Sequence, residues 1–312
     1  MTQPLTPQPF PIELQLTTLP GASQQTHQTL LIKIREYPLQ YHHLNTLTLP
    51  PQLDPKQGLI LYGKAPTWLY SYLIEKLLNW PWLACFDIKE GAVIISSRIP
   101  SLRPGQILPI VPPHPPSPAI LIGGPPNSGK SVLSNTIRST IEQQHPELEF
   151  YLHRANWDGE GNHTYETPDR ALAARLKQEN KYPIHKQPNA EQELAQYFHY
   201  QANATQNIRK FVNLVLVDIG GKPEPVKLPV IEQCTHCLII SRDSEQIQNW
   251  LDLCQNLTPI AIIHSVLEDK IEILKTNPHL EIVAGVWDRD KMRNPPDILI
   301  KAILNILPNT SG

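Results

Sequence analysis

The stretch Gly124-Pro-Pro-Asn-Ser-Gly129-Lys130-Ser131 decides the fold of the C-terminal part of this 312-residue chain. It fits the pattern G-x-x-x-x-G-K-[ST], in which glycines let successive backbone N–H groups point into one anion-sized hollow. Its context agrees. The apolar run Ala119 to Gly123 precedes it as a strand, and Val132, Leu133, Ile137 and Ile141 give the following stretch a helical apolar face. A helix starting there adds the positive end of its dipole to the hollow. The loop is therefore expected to bind ATP with Mg²⁺. Gly124, Asn127, Ser128 and Gly129 would line the phosphates, Lys130 would reach the β and γ phosphates, and Ser131 would meet the metal.

Working outward, apolar runs at 119–123, 148–153, 213–218, 236–241, 259–265 and 281–286 read as strands. Helical stretches at 130–143, 244–256 and 296–306 separate several of them. Continuous apolar strands alternating with helices predict an α/β P-loop domain whose mainly parallel sheet is covered on both faces. Leu214-Val-Leu-Val-Asp218 places an acid at a strand end, where it is expected to serve Mg²⁺. The next residue is Ile219 rather than an acid, which argues against a mechanical ATPase. After the second strand, His153-Arg154-Ala-Asn156-Trp157-Asp158-Gly-Glu160 carries two acids. Asp158 and Glu160 read either as a solvated turn or as acid–base groups facing a phosphoryl acceptor. The interval 161–212 is polar, is interrupted by Pro168, Pro183 and Pro188, and has room for helices and a lid.

Composition sets the frame for the rest. There are 33 prolines, concentrated in residues 4–20 and 104–118. Val111-Pro-Pro-His-Pro-Pro-Ser-Pro118 cannot continue a helix or a central strand, because each proline lacks an N–H and fixes φ. Residues 111–118 are therefore expected to be a stiff linker between a domain of residues 1–110 and the P-loop domain of residues 119–312. The net charge of -2 is unlike that of a protein coating long duplex nucleic acid. No apolar run is long enough to span a membrane and no secretory leader is evident, so the expected location is the cytoplasm. Cys234-x-x-Cys237 has no second pair, and Cys237 opens an apolar strand, so buried thiols are expected rather than a zinc or redox site. His42-His43 has no acid at metal-ligand spacing and reads as polar surface.

In the N-terminal half, strands are expected at 12–17, 28–34, 58–63, 82–87 and 92–97. A helix opens near Pro66, with Leu69, Leu73, Lys76 and Leu77 on one face, and Pro81 follows it. The fold class is α+β, a small sheet with one main helix. Gly58-Leu-Ile-Leu-Tyr-Gly63-Lys64-Ala-Pro66-Thr-Trp68-Leu, then Trp80-Pro81, then Asp87-Ile-Lys89-Glu-Gly91-Ala-Val-Ile, form a combined pattern over most of residues 10–110. This pattern resembles the Csx-three family of CRISPR-associated ring nucleases, some of which are fused to a C-terminal P-loop domain labelled AAA.

The resemblance implies a homo-oligomeric phosphodiesterase for cyclic oligoadenylate, chiefly cyclic tetra-adenylate, assisted by Mn²⁺. Asp87 would hold a cation or orient a 2′-hydroxyl, and Lys89, on the same side if the strand continues, would offset phosphate charge. Gly63, Lys64, Pro66, Trp68 and Arg98 would meet the ligand. The family's histidines correspond here to Asn79 and Arg98, neither of which is an acid or base near neutral pH. A P-loop kinase with a sensor domain, and a non-catalytic messenger sink, are the alternative functions.

Overall fold

The structure, a computed structural model, describes residues 11–35, 39–156, 163–167, 169–181, 184, 187–289 and 293–308. The chain forms two compact units, Met1–Pro113 and His114–Gly312.

The first unit is a six-stranded sheet whose spatial order follows the chain. Its strands are β1 (Ile12–Pro20), β2 (Thr26–Ile34), β3 (Leu59–Gly63), β4 (Trp82–Asp87), β5 (Gly91–Ser97) and β6 (Ile107–Leu108). β2, β3 and β4 are parallel, and the outer pairings are antiparallel. Helix α1 (Thr67–Leu77) makes the crossover from β3 to β4. Spacing of four residues puts Leu69, Leu73 and Leu77 on one stripe, and all three are buried against Leu30, Ile32, Leu59 and Leu61. Each such burial is worth about 2 kcal/mol.

Lys76 does not share that face. It lies at the margin of the stripe and is exposed, its ammonium 5.4 Å from the Tyr72 ring centroid, because burying an unpaired cation costs more than the packing would return. A second departure concerns the β4–β5 turn. β4 ends at Asp87, so strand alternation does not extend to Lys89, which sits in the turn.

The second unit holds a seven-stranded sheet in the order β12-β13-β11-β10-β7-β9-β8. The strands are β7 (Ala119–Gly123), β8 (Phe150–Ala155), β9 (Leu214–Ile219), β10 (His236–Ser241), β11 (Thr258–Ser265), β12 (Lys270–Lys275) and β13 (Leu280–Gly285). All are parallel except the edge strand β12. β7 and β9 are buried along their whole length, as continuous apolar strands in a covered parallel sheet should be.

The helices are α2 (Lys130–Gln144), α3 (His163–Glu166), α4 (Arg170–Glu179), α5 (Ala190–Ile208), α6 (Leu228–Ile231), α7 (Ser244–Leu253) and α8 (Asp297–Leu304). Residues of α2 and α8 share one core with Ile120 and Ile122 of β7. Trp250 of α7 is fully buried and meets Gly123, where an added Cβ would lie 2.7 Å from the indole. Glycine is needed there so that the ring can approach the strand.

Each end of the proline-rich segment is tied to its own unit. Val111 N–H donates to the Pro20 carbonyl (2.7 Å), and Ser117 N–H donates to the Arg209 carbonyl (2.8 Å). Cys234, Cys237 and Cys254 are buried free thiols, and burial pushes Cys234 up to about 12. Among the described residues, no helix is long and apolar enough to cross a membrane.

Candidate functional site

The loop between β7 and α2 is shaped by its backbone. At Gly124 an added Cβ would lie 2.2 Å from the Ile240 carbonyl oxygen, so only glycine lets the chain turn there. Gly129 has φ +91°, and an added Cβ would meet Trp287 at 2.5 Å. Asn127 is also left-handed at φ 62°, a conformation that its short amide tolerates better than most side chains do. Pro125 and Pro126 have no N–H, so the backbone donors of the hollow come from Asn127 to Ser131. Ser128 Oγ is buried and has no hydrogen-bond partner among the described residues.

Because β7 and β9 are direct neighbours, with Ile122 opposite Asp218, the loop lysine and the strand-end acid come together. Lys130 Nζ lies 3.2 Å from Asp218 Oδ1, and both side chains are buried. The other carboxylate oxygen is held by Arg154, whose Nη1 donates to Asp218 Oδ2 at 3.2 Å. Arg154 stands directly opposite Asp218 in the β8–β9 register.

Sequence reading gave Arg154 no role. Its only signal was a cation at a strand end, and its place beside Asp218 depends on β8 being the next strand in the sheet. Asp158 and Glu160 lie outside the described residues. Lys227 is a second residue without a sequence signal. It is almost fully buried, donates to the Lys222 carbonyl (2.6 Å) and to Glu224 Oε2 (3.2 Å), and so closes the segment after β9 on itself. Burial lowers its ammonium pKa, Glu224 opposes that shift, and the nearby Lys130 adds to it.

Above the loop is a cleft of about 830 Å³ lined by Asn127 to Val132, Asn156, Gly220, Arg242, Trp287 and Arg289, among others. Tyr165 of α3 is buried, with the Arg154 guanidinium 4.9 Å from its ring centroid and that of Arg289 at 5.5 Å. The loop fits a nucleoside triphosphate. It turns at two glycines where a Cβ would clash with its neighbours and, among the described residues, has a buried hydroxyl without a partner and two cations on one carboxylate. Lys130 and the amides of Asn127 to Ser131 would hold the phosphates, and Ser131 with Asp218 would hold Mg²⁺. A divalent ion there neutralises charge on the phosphate oxygens.

In the first unit the candidate residues fall into two groups. Gly63 ends β3, Lys64 follows it and Asp87 ends β4, so they share the carboxyl edge of two parallel strands, where Pro66 also opens α1. Asp87 Oδ1 accepts from the N–H groups of Lys89 (2.7 Å) and Glu90 (3.3 Å), which fixes the turn. The Tyr70 hydroxyl donates to the Gly63 carbonyl at 2.7 Å. Burial, with smaller contributions from neighbours that include Asp87, raises the Tyr70 pKa and keeps the phenol protonated. Trp68 is half-buried, its ring 5.2 Å from that of Tyr41.

Arg98 lies elsewhere. Its Nη2 donates to Asn79 Oδ1 at 2.9 Å, and its N–H donates to the Pro81 carbonyl, at the opposite end of β4. Six strand residues separate the two ends by about 17 Å. No three His, Cys, Asp or Glu side chains among the described residues are grouped to hold a metal. Asp87, with one oxygen engaged in its own turn, is too thin a donor set for a resident Mn²⁺.

Residues 32–109 match the family described as CRISPR-associated protein (Cas_csx3). The N-terminal unit carries a Csx3 domain. The match takes in about a quarter of the chain and includes β3, α1, β4 and β5. Among solved structures, a putative plasmid partition protein from Borrelia burgdorferi bound to AMPPNP aligns at 10% identity and TM-score 0.40. That alignment covers 62% of this chain and 98% of that one. A ParA family ATPase from Chlorobium tepidum aligns at 12% identity and TM-score 0.34, over 47% of this chain and 73% of that one. A GTPase from Pyrococcus abyssi, in apo form, aligns at 13% identity and TM-score 0.31. This chain spans 66% of its length and the alignment covers 47% of this one. The P-loop assignment rests on this chain's own loop, sheet order and ion pairs rather than on these likenesses.

Proposed function

We propose that the chain degrades a cyclic oligoadenylate messenger of CRISPR defence at the carboxyl edge of β3 and β4, under the control of ATP bound in the P-loop unit. The observation that carries this reading is the Csx3 match, which spans the ends of β3 and β4, at or just after which Lys64, Asp87 and Lys89 stand in the chain. The carboxyl ends of parallel strands are a usual place for ligands. Asp87 keeps one oxygen outside its turn bonds, available as acceptor to a ribose 2′-hydroxyl. The two lysines offset charge on the attacked phosphodiester. Arg98 is too far along β4 to touch the same phosphate, so it serves another nucleotide of the ring or the ring bound by a second copy. A ligand with rotational symmetry suits a homo-oligomeric site.

The test is incubation of the full chain with labelled cyclic tetra-adenylate, with and without ATP and with Mg²⁺ or Mn²⁺, followed by identification of products. Linear oligoadenylates support the reading, and an intact ring under every condition removes it. A kinase reading is favoured by Ile219 following Asp218 and by the cations around that carboxylate. Labelled γ-phosphate appearing on an acceptor would decide for it.

A further inference from the structure

Two buried cations share one carboxylate beside the P-loop, and one of them, Lys130, also lines the cleft. Lys130, Arg154 and Asp218 have side chains 7%, 9% and 2% exposed. Among the described residues, Lys130 and Arg154 therefore carry one positive charge more than Asp218 can offset, and an uncompensated buried charge is costly. Arg154 is only partly engaged, since Nη1 meets Asp218 while Nε and Nη2 have no acceptor among the described residues. A guanidinium buried with two idle donor positions is prepared for a planar, multi-oxygen anion. The Tyr165 ring, 4.9 Å from the guanidinium, holds it in place without supplying an acceptor for those positions.

Sheet order places this arginine relative to the loop. The loop follows β7, Asp218 ends β9, and Arg154 is near the end of β8, the outermost strand on that side. Trp287 and Ser265, which also line the cleft, follow β13 and end β11 on the other side of β7. Arg154 is thus on the opposite side of β7 from those residues, one strand beyond Asp218.

We propose that Arg154 is the terminal-phosphate sensor of this site. In the nucleotide-free chain it neutralises Asp218. When a nucleoside triphosphate binds, it turns Nε and Nη2 to the γ-phosphate and releases Asp218 Oδ2 for Mg²⁺. A diphosphate does not reach it, so Arg154 stays on Asp218. The exchange makes the site read the number of phosphates, which a P-loop lysine alone does weakly. This inference rests on the nucleotide-binding reading of the loop.

The experiment is calorimetric titration of the full chain with Mg²⁺ and either a non-hydrolysable ATP analogue or ADP, for the unaltered protein, Arg154→Gln, Arg154→Lys and Lys130→Ala. Charge-assisted hydrogen bonds of this kind correspond to about ten- to a hundredfold in affinity. Arg154→Gln is expected to lose that factor for the triphosphate analogue while ADP affinity stays within about twofold. Arg154→Lys is expected to recover part of the loss and serves if the glutamine variant does not fold. An unchanged ratio of the two affinities in either folded variant overturns the proposal. Failure of the unaltered chain to bind either nucleotide, or equal binding by Lys130→Ala, overturns the nucleotide reading itself, and this proposal with it.

Discussion

At the scale of single residues, the two sites differ in how much their chemistry depends on backbone shape. Gly129 combines φ +91° with Trp287 packed where a side chain would begin. Gly129→Ala is expected to cost about 1–3 kcal/mol in backbone strain, with Trp287 displaced from the cleft. In a unit of this size that is a fall of roughly 2–4 °C in Tm per kcal/mol, readable by calorimetry together with weaker nucleotide binding. Asp87 shapes its turn and also carries the charge proposed for catalysis, and the two roles can be separated. Asp87→Asn keeps an oxygen for the Lys89 and Glu90 N–H groups but removes the charge, so messenger cleavage is expected to vanish with Tm unchanged. Asp87→Ala should lose both, with about 1 kcal/mol of stability gone. Full cleavage by Asp87→Asn would take the carboxylate out of the mechanism. The nearness of Lys130 to Asp218 follows from a local motif and a strand-end acid, so it could be read from sequence. Arg154 could not, because its meaning lies in a strand order set by contacts 64 residues apart.

At the scale of elements, legibility followed burial. β7, β9, β10 and β11 announce themselves as continuous apolar runs because water is excluded from both faces. β12, Lys-Ile-Glu-Ile-Leu-Lys, is exposed at every residue and was missed, since no core selects its pattern. β6 has two residues, too few for any period. What ties β12 to the sheet is partly ionic: Glu281 of β13 pairs with Lys275 (2.8 Å) and with His264 of β11 (2.7 Å). The bonds from Lys275 and then His264 lower the Glu281 pKa below its ordinary 4.5. A depressed carboxylate stabilises fully above its unfolded pKa and loses that contribution as pH falls through the folded value. Glu281→Gln is accordingly expected to cost up to about 1 kcal/mol near neutral pH, the lower end of the range being apt for partly exposed partners. The difference from the unaltered chain should shrink as pH is taken down through 4.5 and below. Urea denaturation at neutral and acidic pH checks it, and a cost that grows on acidification would contradict the assignment.

At the scale of the whole molecule, the proline-rich segment and the two chain-local sheets correspond to separate folding units. The first unit has its own core, in which α1 buries Leu69, Leu73 and Leu77 against β2 and β3. A fragment of residues 1–113 is therefore expected to fold alone, with cooperative thermal unfolding by circular dichroism. A fragment that stays unfolded while the full chain is stable would mean that the halves share a core. Composition suggests the division, because clustered prolines exclude regular pairing. It could not reveal that the N-terminal candidate residues would split between the two ends of β4, since Arg98 and Asp87 are close in sequence and their separation comes from strand geometry.

β12 has a further consequence, for how the molecule behaves in concentrated solution. An edge strand offers unsatisfied N–H and carbonyl groups on which a foreign strand can grow. Ile271, Ile273 and Leu274 are each about half exposed along it. The net charge of -2 provides little repulsion at a distance. Protection against sheet-to-sheet aggregation is then local, a matter of Lys270, Glu272 and Lys275 acting as gatekeepers that a neighbouring strand would have to desolvate before it could pair.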